Sequence, residues 1–316
     1  MKGERHMLAA MDNVITVDAI SKSYGQAVAV EDVSFAVRRG EIFGMLGPNG
    51  AGKTTTVECI QGLRRPDRGS IDVLGIDPAA DPDLLRRRIG SQLQSSSLPD
   101  RLHVWEAVHL FSRLHGDPAD VDRVLDTWDL SKLRRKPFAA LSGGQQQRLF
   151  LALALLGQPE IVVLDELTSS LDPNARRDTW DLVKAVRDRG ATVILVTHFM
   201  EEAEALCDRV AIVDQGRVVA IDTPIALTTG LGTEVRITFT SDGHDPHFLT
   251  QVPGVRSVGV EAEMVTVVGG PEAGIRVAGA LSERGFIPID YRIHHPSLDD
   301  VFVSLTGRAL TGKDAA

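Results

Sequence analysis

The sequence predicts an α/β fold, in which a parallel core sheet is covered by helices and carries an antiparallel β layer, a helical insertion and a small C-terminal α+β domain. Three observations predict it. Short, almost wholly apolar runs at Ile42 to Leu46, Ile161 to Leu164 and Thr192 to Val196 alternate with helical segments, the pattern of strands buried on both faces. A glycine-rich loop joins the first run to a helix that starts at Lys53. Beyond Gly230 the texture changes to strand, helix, strand, strand, helix, strand.

Each element has its own signal. Val14 to Ile20 and Ala27 to Val37 mix apolar residues with Thr, Asp, Glu and Ser between turn residues, as antiparallel strands do. The stretch from about Gln94 to Leu141 has helical periodicity, and Val104, Val108, Phe111 and Leu114 form one apolar stripe, read as core packing. Asp172 is placed to cap a helix that has Pro173 in its first turn. At the C-terminal end, strands are expected at Glu234 to Thr240, Val255 to Val260, Met264 to Val268 and Phe286 to Ile293. Helices are expected near Pro246 to Gln251 and from about Glu272 to Arg284, a ferredoxin-like order. The expected division is an N-terminal extension over 1–13, a large domain over 14–230 with its helical subdomain at about 95–141, and an accessory domain over 231–316.

Composition narrows the function classes. With 316 residues, of which 43% are apolar, the chain can bury a large core. A net charge of -9 argues against a nucleic-acid footprint. The short basic runs Arg86 to Arg88 and Arg134 to Lys136 read as solvated faces. The two cysteines, Cys59 and Cys207, lack the spacing of a zinc or redox motif and fit a reducing compartment. The longest apolar stretch, Leu149 to Leu156, falls short of the ~20 residues that cross a bilayer. Met11, Asp12 and Asn13 interrupt any signal-peptide core, so the chain is expected to stay inside the cell.

Gly47-Pro48-Asn49-Gly50-Ala51-Gly52-Lys53-Thr54 satisfies the phosphate-loop pattern between a strand and a helix. Its glycines let successive N–H groups turn towards phosphate oxygens, and the following helix adds its positive end. Lys53 is expected to reach the β- and γ-phosphates of ATP, and the Thr54 hydroxyl to ligate Mg²⁺. The run Ile161 to Leu164 ends in Asp165 and Glu166, at the strand edge where such sheets place ligands. Asp165 suits the metal. Glu166 suits the proton of a water that attacks the γ-phosphate.

Leu141-Ser142-Gly143-Gly144-Gln145 then precedes an apolar helix. Here the chain resembles the ABC ATPase family, whose signature motif is LSGGQ, over roughly Val14 to Thr229. The resemblance implies a P-loop NTPase of ABC type, with further roles for three residues: Tyr24 as the aromatic that stacks on adenine, Gln94 as the glutamine that senses Mg²⁺ and the attacking water, and His198 as the switch histidine. It also implies a homodimer that pairs head to tail. Each ATP would lie between Gly47 to Thr55 of one copy and Ser142, Gly143, Gly144 and Gln145 of the other. The chain departs from the family pattern at Leu167 and Ser170, where proline and glycine or alanine are usual. Gln94 to Pro99 and Leu298 to Arg308 resemble the daunorubicin-resistance branch of ABC-2 type exporters. A separate membrane permease, a place on the cytoplasmic face of the plasma membrane and efflux of a drug-like compound follow as expectations. The alternatives are lipid or polysaccharide export, or an ABC ATPase of translation or DNA repair.

Overall fold

The computed structural model describes residues 13–92, 97–114, 120–169, 171–230 and 234–308. The chain divides into two compact units, Met1–Pro224 and Ile225–Ala316.

In the first unit, β1 (Asn13–Tyr24) and β2 (Ala27–Arg38) form an antiparallel hairpin that is extended by β4 (Arg68–Val73). Between them in sequence lie β3 (Ile42–Leu46) and α1 (Lys53–Ile60), and after them α2 (Pro82–Arg86) and β5 (Ile89–Gln92). The helical part holds α3 (Val104–Leu114), α4 (Val121–Thr127) and two 3₁₀ turns, and leads into α5 (Gly143–Ala154). There follow β6 (Ile161–Asp165), α6 (Pro173–Asp188), β7 (Thr192–Thr197), α7 (Met200–Leu206), β8 (Arg209–Asp214) and β9 (Arg217–Asp222). The central sheet has the order β5-β6-β7-β3-β8-β9, parallel except for β9.

Every residue of β3, β6 and β7 is buried, as a strand covered on both faces requires. Alternation sorts them into two layers. Phe43 and Met45, Ile161 and Val163, Ile194 and Val196, and Ala211 and Val213 share one core with the antiparallel layer, from which Ile15, Val17 and Phe35 descend. Phe35 stacks on Phe43 at 5.2 Å, so truncating Phe43 to Ala would cost about 3–5 kcal/mol. On the other face, a Cβ at Gly44 would lie 2.7 Å from Cys207 Sγ, so the thiol fills the space a side chain would take. Cys59 and Cys207 are both free and buried, and burial pushes the Cys59 thiol up to about 11 and that of Cys207 well above its ordinary value.

The parallel register matters most for function. Leu46 pairs with Thr197, Asp165 with Val196 and Gln92 with Leu164, so the chain leaves β3, β5, β6 and β7 at one edge of the sheet. The segments that begin at Gly47, Glu166 and His198 all start there.

The stripe on α3 is core only in part. Val104 and Val108 are buried, but Leu114 is 73% exposed. Ten residues separate it from Val104, which at 3.6 residues per turn sets it about 80° off that face.

The second unit contains β10 (Val235–Thr240), a 3₁₀ turn at Pro246–Gln251, β11 (Val255–Glu261), β12 (Met264–Gly269), α9 (Ala273–Glu283), β13 (Arg292–His294) and α10 (Leu298–Thr306). The division between units falls inside α8 (Pro224–Gly230), not after it. The antiparallel order β11-β12-β10-β13 is the ferredoxin-like one, with the first helix reduced to a 3₁₀ turn. The last strand is shorter than the expected Phe286 to Ile293. Pro288 has no amide hydrogen for a ladder, Ile289 is fully exposed, and Phe286 turns inward to stack on His244 at 4.4 Å.

Candidate functional site

The loop after β3 is a cradle that only glycine permits at its two ends. A Cβ at Gly47 would lie 2.1 Å from the Val213 carbonyl oxygen; at Gly52, where φ is +96°, it would lie 2.3 Å from that of Ala29. Pro48, Asn49, Gly50 and Ala51 form the bend between them, closed by the Ala51 N–H, which donates to Pro48 O at 3.2 Å. Lys53 and Thr54 open α1, with Thr55 behind them. Lys53 is 4% exposed, and its Nζ donates to the carbonyl oxygens of Gly47 at 2.7 Å and Pro48 at 2.9 Å. Burial pulls the Lys53 ammonium below the ordinary lysine range, and the charges of Glu166 and Asp165 oppose that.

At the end of β6, Asp165 is 3% exposed and accepts from the Thr54 hydroxyl through Oδ2 at 3.3 Å. Its Oδ1 is buried with no hydrogen-bond partner among the described residues. Burial first, and the adjacent Glu166 charge second, raise the Asp165 carboxyl to about 6. An unpaired buried carboxylate oxygen beside a threonine hydroxyl fits a hard cation that takes one or two protein oxygens and completes its shell with phosphate and water. No cluster of three His, Cys, Asp or Glu occurs among the described residues, and such a cation needs none.

Glu166 has a left-handed backbone, with φ +50°, a conformation that costs a non-glycine residue on the order of 1–3 kcal/mol and recurs at functional sites. The Glu166 side chain meets His198, whose Nδ1 lies 3.3 Å from Glu166 Oε1. The structure thus brings Gly47 to Thr54, Asp165, Glu166 and His198 to one sheet edge. Gln94 and Ser170 lie outside the described residues; Gln94 follows β5 by two positions.

Tyr24 ends β1 at the hairpin whose second strand touches Gly52 through Ala29, and it is 42% exposed. Sequence reasoning missed its cationic neighbours. The Arg64 guanidinium lies 5.2 Å from its ring centroid and Lys22 Nζ 6.0 Å. Arg64 is tethered by Glu58, and Lys22 by Asp67 at 2.7 Å. The spacing of Lys22 two residues before Tyr24 was the one available signal; Arg64 gave none.

Ser142 caps α5. Its hydroxyl accepts from Gln145 N at 3.4 Å, and Gln145 Oε1 accepts from Ser142 N at 3.1 Å, a capping box. A Cβ on Gly143 would sit 3.4 Å from Leu171 Cδ2, and one on Gly144 3.6 Å from Ala175 Cβ, so this helix end rests closely on the start of α6. Asp172 caps α6 by accepting from the amides of Asn174 and Ala175, both at 3.0 Å. Ser142, Gly143, Gly144 and Gln145 line a cavity of about 670 Å³ together with Leu171 and Asp172. No residue of the 47–54 loop lines it.

Comparison with known proteins agrees with this geometry. The ABC transporter family model matches residues 30–169. A daunorubicin resistance ATP-binding protein, DrrA3, of Streptomyces coeruleorubidus is 38% identical over 96% of this chain and 99% of its own length. A Nod factor export ATP-binding protein I of Rhizobium etli is 39% identical over 97% of this chain and 96% of its own. Among solved structures, the ATP-binding subunit of an ABC transporter superposes with a TM-score of 0.62 at 30% identity, over 69% of this chain and 93% of that one. The ADP form of another ATP-binding cassette, at 21% identity and TM-score 0.60 over 67% of this chain and 91% of that one, shares the fold. Identity of 38–39% over nearly the whole length of an ATP-binding drug-resistance protein and an export ATP-binding protein makes this chain a member of the ABC transporter family, an ATP-binding and ATP-hydrolysing subunit of an exporter.

Proposed function

We propose that the chain works as a head-to-tail homodimer in which each ATP is held between Gly47 to Thr55 of one copy and Ser142 to Gln145 of the other. The observation that carries this reading is the cavity at the Ser142 helix end, which none of the 47–54 residues lines. A helix end with free N–H groups favours an anion, and within one chain the phosphate cradle does not supply it. A second copy does.

In that arrangement Lys53 leaves its carbonyl partners for the β- and γ-phosphates, and Tyr24 stacks on the adenine. Thr54 and Asp165, and Gln94 on the family resemblance, would hold Mg²⁺, which when bound would supply neutralisation of the phosphate charge. Glu166 takes the proton of the attacking water, and His198 orients Glu166 and contacts the γ-phosphate. Loss of the γ-phosphate removes what both copies grip, and the pair opens.

No described helix is long and apolar enough to cross a membrane. On the likeness to export ATP-binding proteins, movement passes to a separate permease, with the ATPase pair docked on the cytoplasmic membrane face. The fitting contact is the groove of about 320 Å³ between β5, α3 and α5, where the half-buried rings of Phe111 and Phe150 and the buried Leu98 offer an apolar seat beside Gln92. Cargo choice belongs to that permease. Relatives named for daunorubicin resistance and for Nod factor export match this chain equally well, so the shared ATPase does not distinguish them. Efflux of a drug-like amphiphile is the reading supported by the likeness of Gln94 to Pro99 and Leu298 to Arg308 to the daunorubicin-resistance branch, with lipid or polysaccharide export as its alternative. The second unit, residues 225–316, serves as a dimer-contact or regulatory module.

The test is nucleotide-dependent dimerisation. Glu166→Gln with MgATP is expected to elute as a dimer and, without nucleotide, as a monomer. Adding Ser142→Arg to that variant should prevent the dimer while ATP still binds. A stalled variant that holds ATP as a monomer overturns the shared site.

A further inference from the structure

We propose that Glu202 is a positioning residue, a buried acceptor that fixes the helix following His198 to the segment following Glu166. The proposal rests on the reading of Glu166 and His198 as the pair that turns ATP over.

Glu202 lies on α7, four residues after His198, and is fully buried. Its Oε1 accepts two hydrogen bonds, from the Thr168 hydroxyl at 2.8 Å and from Trp180 Nε1 at 3.2 Å. Thr168, also fully buried, lies two residues after Glu166, and Trp180 lies on α6. One oxygen atom therefore gathers the segment after Glu166, the helix after His198 and the helix whose first turn touches Gly144 through Ala175.

Stability alone does not account for a carboxylate in this place. Its Oε2 is buried without a hydrogen-bond partner among the described residues, a costly condition that an apolar side chain of similar volume would avoid. A fixed acceptor for two donors is what the carboxylate supplies and an apolar residue does not.

A second strut crosses the same junction. The Phe199 ring lies between the His198 ring, 4.1 Å away, and the Arg176 guanidinium of α6, 4.3 Å away. Arg176 sits one turn after Asp172, which lines the cavity at Ser142 together with Asn174 and Ala175. A push on Leu171 and Asp172 from a second copy is therefore carried by α6, through Glu202 and Phe199, to the 3.3 Å contact of His198 with Glu166.

Steady-state ATPase assays on the full chain, with ATP affinity and melting temperature measured alongside, decide the matter. Thr168→Val and Glu202→Ala are expected to lower kcat at least about tenfold with KM within about twofold, the mark of an interaction felt in turnover and not in binding. Glu202→Gln, which keeps the acceptor oxygen, should hold kcat within about threefold. The double variant Thr168→Val with Glu202→Ala should be no slower than Glu202→Ala alone, because the contact that Thr168→Val removes is already lost in Glu202→Ala. A lowered melting temperature with unchanged kcat, a loss confined to KM, or Glu202→Gln as slow as Glu202→Ala overturns the proposal; if Glu202→Ala does not fold, Thr168→Val decides. Glu166→Gln assayed in parallel separates the two readings. Normal turnover in that variant would remove the assignment of Glu166 as base, whereas an inactive Glu166→Gln beside a fully active Thr168→Val removes Glu202 alone.

Discussion

The phosphate cradle and the Ser142 helix end are both backbone devices for holding an anion, yet they differ in what completes them. Around the cradle, Lys53 and Asp165 are nearly fully buried, and each meets a partner within the chain: two carbonyls for the lysine, the Thr54 hydroxyl for the aspartate. The Ser142 end satisfies its own cap and then faces a cavity lined by Gly143, Gly144 and the start of α6. On the proposed reading the first region is the cradle of the triphosphate and the second the opposite wall, which a second copy would bring to it.

The largest expected effect breaks the cradle side. Replacing Glu166 by Gln removes the proton acceptor and should lower turnover by about 10³, the scale of general-base catalysis, with ATP binding intact in an equilibrium assay. Ser142→Arg attacks the other wall. It deletes a cap contributing about 1 kcal/mol and crowds the cavity, so kcat should fall on the order of 10² while the isolated chain binds ATP with unchanged affinity. Equal loss of ATP affinity in that variant would mean that the helix end belongs to the same chain's cradle.

Asp165 gives a smaller effect with a definite sign. Its carboxyl is raised to about 6 from the ordinary 3.8, and only the ionised form ligates a cation. The Mg²⁺ affinity of the nucleotide complex should therefore fall about tenfold per pH unit below 6 and level off above it. Without metal, the folded chain holds an extra proton between those two values, so the melting temperature should drop as pH rises through that window. Smallest is Tyr24→Ala, which removes a stacking face worth about 1 kcal/mol and should raise KM for ATP about fivefold without altering kcat.

Much of the site could be read in the chain because its chemistry is local. Gly47 to Thr54 and Asp165-Glu166 announce themselves by contiguous spacing after apolar strands, and the parallel register then brings them to one edge. Glu202 could not be read in this way. In the run Met200-Glu201-Glu202-Ala203, two adjacent glutamates on a short helix resemble a solvated face, and only packing against Trp180 and Thr168 separates the buried one from its exposed neighbour. The same holds for β4, which has too few apolar residues to stand out and is a strand because β1 offers it an open edge. Phe286 to Tyr291 shows the opposite failure: apolar content was read as a strand where Pro288 and an inward Phe286 prevent one.

The dent that Gly44 leaves for the Cys207 sulfur has a practical side. With Cys59 equally enclosed, the sequence offers alkylating reagents no accessible thiolate while the fold is intact. Cysteines introduced one beside Asn49 and one beside Gln145 would bridge two copies if these pair head to tail as proposed, without first stripping out natural sulfurs. The slow appearance of label on the two native positions would meanwhile serve as a clock for the opening of the whole domain.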